Sequence, residues 1–81
     1  MKEDNSTTNL NGLISGESAT IIAIQTDDAL RQRLLALGFR VGNRIELIRK
    51  ARCSGPLQVR IGTTDILLRK KEAANIMIQK S

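Results

Sequence analysis

The sequence predicts a small, mainly β domain, folded as a partly open barrel of five short strands with one short helix after the first strand. Three observations support this prediction. The chain has 81 residues, which is the length of one small domain. Most of its apolar segments are short, rich in β-branched residues and bounded by turn residues, as strands are. Only one segment repeats its leucines with the spacing of a helix.

The first strand and the helix are placed by their apolar patterns and their end signals. Ser18–Gln25 is apolar and β-branched, which favours a strand. The next segment, Asp28–Leu37, is predicted to be a helix, because Asp27 is a suitable N-cap and Gly38 supplies the left-handed residue that ends many helices. Phe39 is then placed to contact Leu34 in a Schellman ending. The leucines that recur along one face of this helix, and are expected in the core, are Leu30, Leu34 and Leu37.

The second half of the chain is mostly strand. The predicted strands after the helix are Arg44–Lys50, Leu57–Ile61, Ile66–Arg69 and Ile76–Gln79. Leu57–Ile61 alternates strictly, so Leu57, Val59 and Ile61 are expected to face inward. Gly62–Asp65 is expected to form the turn of a hairpin, and Lys71–Asn75 a helical turn before the last strand. Because tight turns join most of these strands, neighbours should pair antiparallel. Closure into a small barrel would hide the strand edges, and the helix would cover one end.

The first nine residues differ from the rest of the chain. Met1–Asn9 is polar, rich in Asn, Ser and Thr, and is expected to be a disordered tail, which leaves residues 10–81 as the domain. The tail lacks the apolar core of a secretory signal, and no apolar run approaches the roughly 20 residues of a membrane span. Cys53 is the only cysteine, which fits a reducing, cytosolic environment. We expect it to be an inert small side chain rather than an exposed thiol or a soft metal ligand.

The residue types that are absent exclude several kinds of chemistry. The sequence contains no His, Trp or Tyr, and Phe39 is its only aromatic residue. Without histidine, Ser/His/Asp and Cys/His catalytic sites and zinc sites of the Cys/His type are excluded. Iron(II) sites usually include imidazole, so we expect no metal site, no cofactor and no enzymatic activity. The carboxylates that remain as hard ligands are Glu17, Asp27, Asp28, Glu46, Asp65 and Glu72.

The formal net charge of +5 would attract nucleic acid, anionic lipid or an acidic protein surface. The residues that we single out as candidate partner contacts are Arg31, Leu35, Arg40, Arg44, Arg49 and Arg52. An ordinary solvated surface explains any one of the arginines equally well. Leu35 lies about 100° round the helix from Leu34, so it is either an exposed contact that misses the core or, as we slightly favour, a core residue beneath the barrel. The glycines that we assign to structural turns are Gly16, Gly38, Gly42 and Gly62.

Four segments, in this order and at this spacing, resemble the FeoA family of small cytoplasmic partners of the bacterial ferrous iron transporter FeoB. They are Leu13–Ile21, Leu34–Ile45, Val59–Gly62 and Ala73–Ile76. No single segment is specific, but the ordered set lies within a match that runs from Leu10 to Gln79. The family often has proline where this chain has Ser15 and Val41; each change softens a turn without removing its glycine. The resemblance implies an SH3-like five-stranded barrel, with a short helix between strands 1 and 2 and a helical turn before the last strand.

The same resemblance implies a function in ferrous iron uptake. We expect a non-enzymatic module that docks to the cytoplasmic part of FeoB at the inner face of the inner membrane. Transition metal ion binding enters only as a family-level association, and weak self-association is compatible with the sequence. Two alternatives stay open. One is a small basic barrel that binds nucleic acid, although it lacks aromatic side chains for base stacking. The other is a metal-responsive regulatory module, because the same module occurs at the C-terminus of metal-dependent repressors.

Overall fold

The computed structural model of this chain describes residues 7–52 and 55–80. Its strands within these residues are β1 (Thr7–Asn9), β2 (Ser18–Ile24), β3 (Arg44–Lys50), β4 (Leu57–Ile61), β5 (Thr64–Leu68) and β6 (Ile76–Lys80). Its helices are α1 (Asp28–Leu37), between β2 and β3, and α2 (Lys70–Ala73), between β5 and β6, and a 3₁₀ turn (Leu10–Gly12) follows β1. Cys53, which is expected to be an inert side chain, lies outside the described residues.

The strands form one antiparallel sheet in the order β1–β6–β2–β3–β4–β5. β1 and β5 are its two edges, so the part of the chain that the structure describes leaves the barrel unclosed. Register shifts at Ile22 in β2 and at Ile48 in β3 help the sheet to bend. The mainly β fold, with a helix between the first two long strands and a helical turn before the last strand, is confirmed.

The sheet has one strand more than predicted. Thr7–Asn9 forms β1 and pairs with β6, with Thr7 opposite Gln79 and Asn9 opposite Met77. The prediction of a disordered tail is therefore wrong for these three residues, and residues 1–6 lie outside the described part of the chain. These three polar residues show no apolar alternation that would predict a strand. They form one because their backbone pairs with β6, which is far away in the sequence.

The core fills the space inside the bent sheet. Phe39 is its largest side chain and is fully buried. The other fully buried side chains that mark its extent are Leu10, Leu13, Ile21, Leu34, Leu47, Leu57, Ile76 and Ile78. The other core residues occupy the inward-facing positions of the strands. In β4 the alternation of apolar and polar residues in the sequence matches this inward face, because Leu57 and Val59 are buried and Ile61 is half-buried.

Helix α1 has the predicted bounds and the predicted ends. The Asp27 carboxylate accepts a hydrogen bond from the backbone amide of Leu30 at 2.9 Å. At the other end Gly38 has φ of 105°, and the amide of Phe39 donates to the carbonyl of Leu34 at 2.9 Å, which completes a Schellman ending. One prediction about this helix is wrong: Leu37 is 38% exposed instead of core. The chain leaves the helix after it, and Phe39, two residues later, is fully buried.

Helix α1 extends across one end of the barrel, from α2 to the end of β4. The guanidinium of Arg33 lies 2.8 Å from the carboxylate of Glu72 in α2. A methyl group at Gly38 would lie 3.7 Å from the side chain of Ile61 in β4. Only Leu34 is fully buried on this helix, with Leu30 packed partly against the core. The attachment of α1 to the barrel therefore depends mainly on one leucine and one ion pair.

The turn between β4 and β5 is shorter than predicted. Ile61 pairs with Thr64, which leaves Gly62 and Thr63 as a two-residue loop, so β5 begins at Thr64 instead of Ile66. Such tight hairpins require a positive φ, and Gly62 has φ of 62°. The four glycines with positive φ are Gly16, Gly38, Gly42 and Gly62.

Candidate functional site

Strand β3 separates the predicted contact residues into two groups. Arg31, Leu35, Arg40 and Arg44 lie on α1 or between α1 and the first residue of β3, whereas Arg49 and Arg52 lie at and beyond its last residues. β3 has seven residues, so its ends are about 20 Å apart. The structure therefore does not bring the six residues into one patch, and each end of β3 has to be considered by itself.

The first group includes several exposed apolar side chains around the end of α1. Leu35 is 37% exposed, so the expectation that it belongs to the core is wrong, and Leu37 is exposed to the same extent. Val41, in the loop that leads to β3, is 65% exposed. We call the exposed residues around the end of α1, namely Leu35, Leu37, Arg40, Val41 and Arg44, the helix-exit surface; within it Leu35 and Leu37 lie on opposite flanks of the buried Leu34, about 160° apart around the helix. Val41 was not predicted as a contact residue, although an apolar residue in a turn beside a glycine indicates an exposed contact.

The loop that presents Val41 is fixed by hydrogen bonds on both sides. The amide of Gly42 donates to the carbonyl of Ile21 at 2.8 Å, and the side-chain amide of Asn43 donates to the carbonyl of Gly38 at 2.8 Å. The backbone amide of Asn43 also donates to the carbonyl of Arg40 at 3.0 Å. The exposed apolar residues of the helix-exit surface therefore occupy defined positions before any partner arrives, which lowers the entropy cost of binding.

An open groove of about 410 Å³ lies beside this surface, across the first residues of β3 and the end of β4. Its lining residues are Ser18, Arg44, Ile45, Glu46, Arg60 and Gly62. Two arginines therefore face the groove, and they differ in how their guanidinium groups are used.

Arg60 is already paired, and Arg44 is not. The Nε of Arg60 donates to Asp65 Oδ1 at 2.7 Å, and its Nη2 donates to Oδ2 at 3.2 Å. The hydrogen bond from Arg60, with a second from Gln58, lowers the pKa of Asp65, and the same carboxylate raises the pKa of Arg60. Arg44 is exposed and has no ion pair or side-chain hydrogen bond to any described residue. Arg44 is thus the guanidinium in this groove that is available to an acidic group.

The second group belongs to a larger cluster of cations at the other end of β3. Sheet pairing places Lys50 opposite Leu57, and Leu57 opposite Leu68, so the end of β3 meets the end of β5 and the start of α2. The cations gathered there, which we call the basic end, are Arg49, Lys50, Arg52, Arg69, Lys70 and Lys71. Only Arg49 and Arg52 were singled out from the sequence. Lys50 is adjacent to Arg49 in the chain, whereas Arg69, Lys70 and Lys71 join them through sheet pairing and not through a local pattern.

The 3₁₀ turn connects the two halves of the basic end. The Lys50 ammonium donates to the carbonyl of Asn11 at 2.7 Å, and the Asn11 side-chain amide donates to the carbonyl of Lys70 at 3.0 Å. A second groove, of about 500 Å³, is lined there by Pro56, Arg69, Lys70 and Lys71. Hydrogen bonds through Asn11 therefore hold the two halves of the basic end together as one surface.

The carboxylates do not gather into a metal-binding group. Over residues 7–52 and 55–80, no cluster of three or more His, Cys, Asp or Glu side chains could hold a metal ion. Asp27 caps α1, Asp65 pairs with Arg60, and Glu72 pairs with Arg33. Each of these carboxylates is therefore explained by a structural contact.

No helix among the described residues is both long and apolar enough to cross a lipid bilayer.

The order of elements and the open antiparallel sheet define a small β-barrel domain of the SH3-like class. Comparison with known families then identifies it more closely. The FeoA domain family matches residues 8–80, and the chain belongs to this family.

Two relatives agree with this assignment. A fusion of Fe(2+) transport protein A and the Fe(2+) transporter FeoB from Porphyromonas gingivalis is 30% identical over 70 residues. The match covers 86% of this chain but only 8% of that protein. FeoA from Stenotrophomonas maltophilia, crystallised with zinc and described as an SH3 domain protein and a candidate ferrous iron transport activating factor, is 30% identical, with a TM-score of 0.79 and 89% of each chain covered.

The same fold occurs in a different setting. A manganese-dependent transcriptional repressor in complex with manganese matches with a TM-score of 0.87 at 16% identity, over 98% of this chain and 39% of the repressor. At that identity the likeness shows a shared fold alone.

Proposed function

We propose that this chain is a non-enzymatic accessory module for ferrous iron uptake, which docks on the cytoplasmic part of a FeoB-like transporter at the inner face of the membrane. The relative in which an FeoA protein and FeoB form one chain supports this proposal. Fusion keeps two proteins at a high effective concentration, which is useful when they act together. In our proposal the transporter moves the iron, and the small domain binds the transporter and regulates it.

The observation that carries the proposal is the helix-exit surface, which we assign as the contact with the transporter. Cores of protein–protein interfaces are rich in apolar side chains and arginine and poor in lysine. The helix-exit surface has three exposed apolar residues and two arginines, with no lysine. Arg44, which pairs with no described residue and lies beside the adjoining groove, would meet a carboxylate of the partner. The ligand is therefore a segment of the transporter that carries an apolar side chain next to an acidic one.

The carboxylates and the absence of histidine argue against catalysis and metal binding by this chain. Among the described carboxylates, Asp27 caps α1 and Asp65 and Glu72 form ion pairs, and the sequence supplies no histidine as a general base or metal ligand. Ferrous iron is then the cargo of the transporter and not a ligand of this domain. Titration with iron(II) followed by calorimetry tests this point, and saturable binding at micromolar concentration would contradict it.

A binding measurement with matched variants tests the docking surface. Val41 and Leu67 are equally exposed, at 65% and 66%, but Leu67 is on β5, outside the helix-exit surface. We expect Val41→Asp to weaken binding to the detergent-solubilised cognate transporter at least about tenfold, because a carboxylate replaces an apolar contact. Leu67→Asp should leave the affinity within a factor of about two. Biolayer interferometry with immobilised transporter provides the measurement.

Circular dichroism of both variants serves as the control for folding. Equal losses of binding for Val41→Asp and Leu67→Asp would remove the helix-exit surface as the contact. Absence of binding by the unmodified chain, in detergent and in native membranes, would contradict docking itself.

A further inference from the structure

We propose that the basic end lies against anionic phospholipid headgroups, so that the domain touches the membrane surface with one end of β3. The partner is a lipid surface and not a second protein. That the other end of β3 faces the transporter rests on the function proposed above, whereas lipid contact by the basic end does not.

Charge is concentrated at this end of the molecule. Six of the 13 basic residues of the chain belong to the basic end. They come from three places in the sequence: the end of β3, Arg52 two residues beyond it, and the start of α2 with the residue before it. Only the antiparallel pairing of β3 with β4 and of β4 with β5 brings these places together.

Among the described residues, nearby carboxylates do not neutralise the exposed cations of the basic end. Glu72 is the acidic residue of α2, but it is 9% exposed and its oxygens are occupied by the amide of Arg69 at 3.0 Å and by Arg33 at 2.8 Å. Within the described ranges, the side chains of Arg49, Arg52, Arg69 and Lys71 form no ion pair, and all four are exposed. Their field therefore extends into solvent, where an anionic surface can meet it.

The composition of the basic end favours lipid over a protein or a nucleic acid. Three of its six cations are lysines, which are depleted from the cores of protein–protein interfaces but common where a protein faces anionic lipid. Among the described residues, the lining of its groove contains Pro56 and three cations and no leucine or isoleucine, and Leu67, the exposed leucine of β5, lies two residues before Arg69 in the chain. Base stacking on single-stranded nucleic acid needs exposed aromatic rings, and Phe39, the only one in the chain, is fully buried. Lipid phosphates require only accessible cations.

The position of the basic end is compatible with a transporter held at the opposite end. The helix-exit surface and the basic end are separated by the length of β3, about 20 Å. Both can therefore be occupied without competition for the same side chains. Contact with lipid would then fix the orientation of the domain relative to the bilayer and raise its local concentration beside the transporter.

Co-sedimentation with vesicles tests the proposal without any transporter. We expect the chain to sediment with vesicles of phosphatidylcholine mixed with phosphatidylglycerol, and to remain in solution with pure phosphatidylcholine. Binding should weaken as salt is raised, because the attraction is screened. No sedimentation with either vesicle at low salt, or equal sedimentation with both, would overturn the proposal.

Two triple variants of equal charge locate the effect. Arg52→Gln/Arg69→Gln/Lys71→Gln changes three exposed cations of the basic end and leaves Lys50 and Lys70 in place. It should lower the vesicle partition coefficient about 100-fold. The matched control, Arg31→Gln/Arg40→Gln/Arg44→Gln, loses the same charge near α1 and should keep vesicle binding within about threefold of the unmodified chain. Equal losses in both variants would show a response to net charge alone and would overturn the assignment.

A nucleic-acid arm and a detergent arm separate the remaining outcomes. If double-stranded or single-stranded DNA displaces the chain from anionic vesicles at equal phosphate concentration and physiological salt, the basic end is a nucleic-acid surface and the lipid proposal fails. The basic-end variant should still bind detergent-solubilised transporter. Vesicle binding without transporter binding would overturn the proposed function alone, and the reverse result would overturn the lipid contact alone.

Discussion

The two ends of strand β3 carry positive charge in different settings. At the helix exit, the arginines stand among exposed apolar side chains on a loop fixed by hydrogen bonds to β2 and α1. At the basic end, arginines and lysines stand together, Leu57 and Leu68 of the adjoining strands are buried, and Leu67 is the exposed apolar side chain of this part of β5. Positive charge at the two ends can therefore serve two kinds of recognition. Apolar area beside arginine suits a shaped protein partner, whereas charge density alone suits a planar anionic surface.

The largest expected effect comes from loosening α1, because this helix contributes residues to the helix-exit surface and none to the basic end. Leu34 is the fully buried side chain of α1, and Leu34→Ala should lower the free energy of unfolding by about 2–5 kcal/mol. Chemical denaturation with urea measures this loss. At temperatures where the variant is still folded, binding to the transporter should fall more than binding to anionic vesicles. Equal losses at both ends would show that the two surfaces are not independent.

Leu37→Ala is the matched control for this variant. It removes the same atoms from the same helix, but Leu37 is 38% exposed, so the free energy of unfolding should change by less than about 1 kcal/mol. A loss as large as that of Leu34→Ala would contradict the assignment of Leu34 as the main attachment of α1.

A smaller effect is expected at Glu72, which connects the two ends. Its carboxylate accepts from the amide of Arg69 in the basic end and pairs with Arg33 on α1. Glu72→Ala should cost about 1–3 kcal/mol of stability, because the buried end of α2 loses an acceptor and Arg33 loses its partner. Glu72→Gln keeps the acceptor and should cost less. If thermal unfolding places the two variants at the same stability, the ion pair and not the cap accounts for the loss.

The smallest effect is expected at Asp65, beside the groove of the helix-exit surface. Its hydrogen bonds from Arg60 and Gln58 lower its pKa in the folded chain. A lowered carboxyl pKa stabilises the fold above the pKa of the unfolded chain, and this contribution disappears as the pH falls through the folded-state pKa. Asp65→Asn should therefore be slightly less stable than the unmodified chain at neutral pH, with the difference vanishing in acid. A difference that grows on acidification, in urea titrations at several pH values, would contradict this sign.

The sequence predicted best what depends on neighbouring residues. The bounds of α1 follow from an N-cap, a leucine repeat and a terminating glycine, all within 12 residues, and Asp27, Leu34 and Gly38 have those roles in the structure. The strict alternation of β4 likewise identified its inward face. These features are local, so a linear pattern is sufficient to predict them.

What the sequence did not predict depends on partners that are distant in the chain. The backbone of β6 stabilises β1, whose own three residues have no strand pattern. The apolar residue buried at the end of α1 is Phe39, beyond the helix, and not Leu37, which the leucine spacing favoured. Most of the basic end was missed, since the pairing of three strands, and not the spacing of Lys50 and Arg69, makes these residues neighbours.

The antiparallel pairing of β1 with β6 also sets how the domain can be tethered. Thr7 lies opposite Gln79, so polypeptide attached before β1 or after β6 leaves the domain from nearly the same point. A linker at either end would act on one pivot, about which the barrel could swivel without unfolding. Tension between two such linkers, by contrast, would separate β1 from β6 one residue pair at a time, beginning at Thr7 and Gln79, before it reached the core.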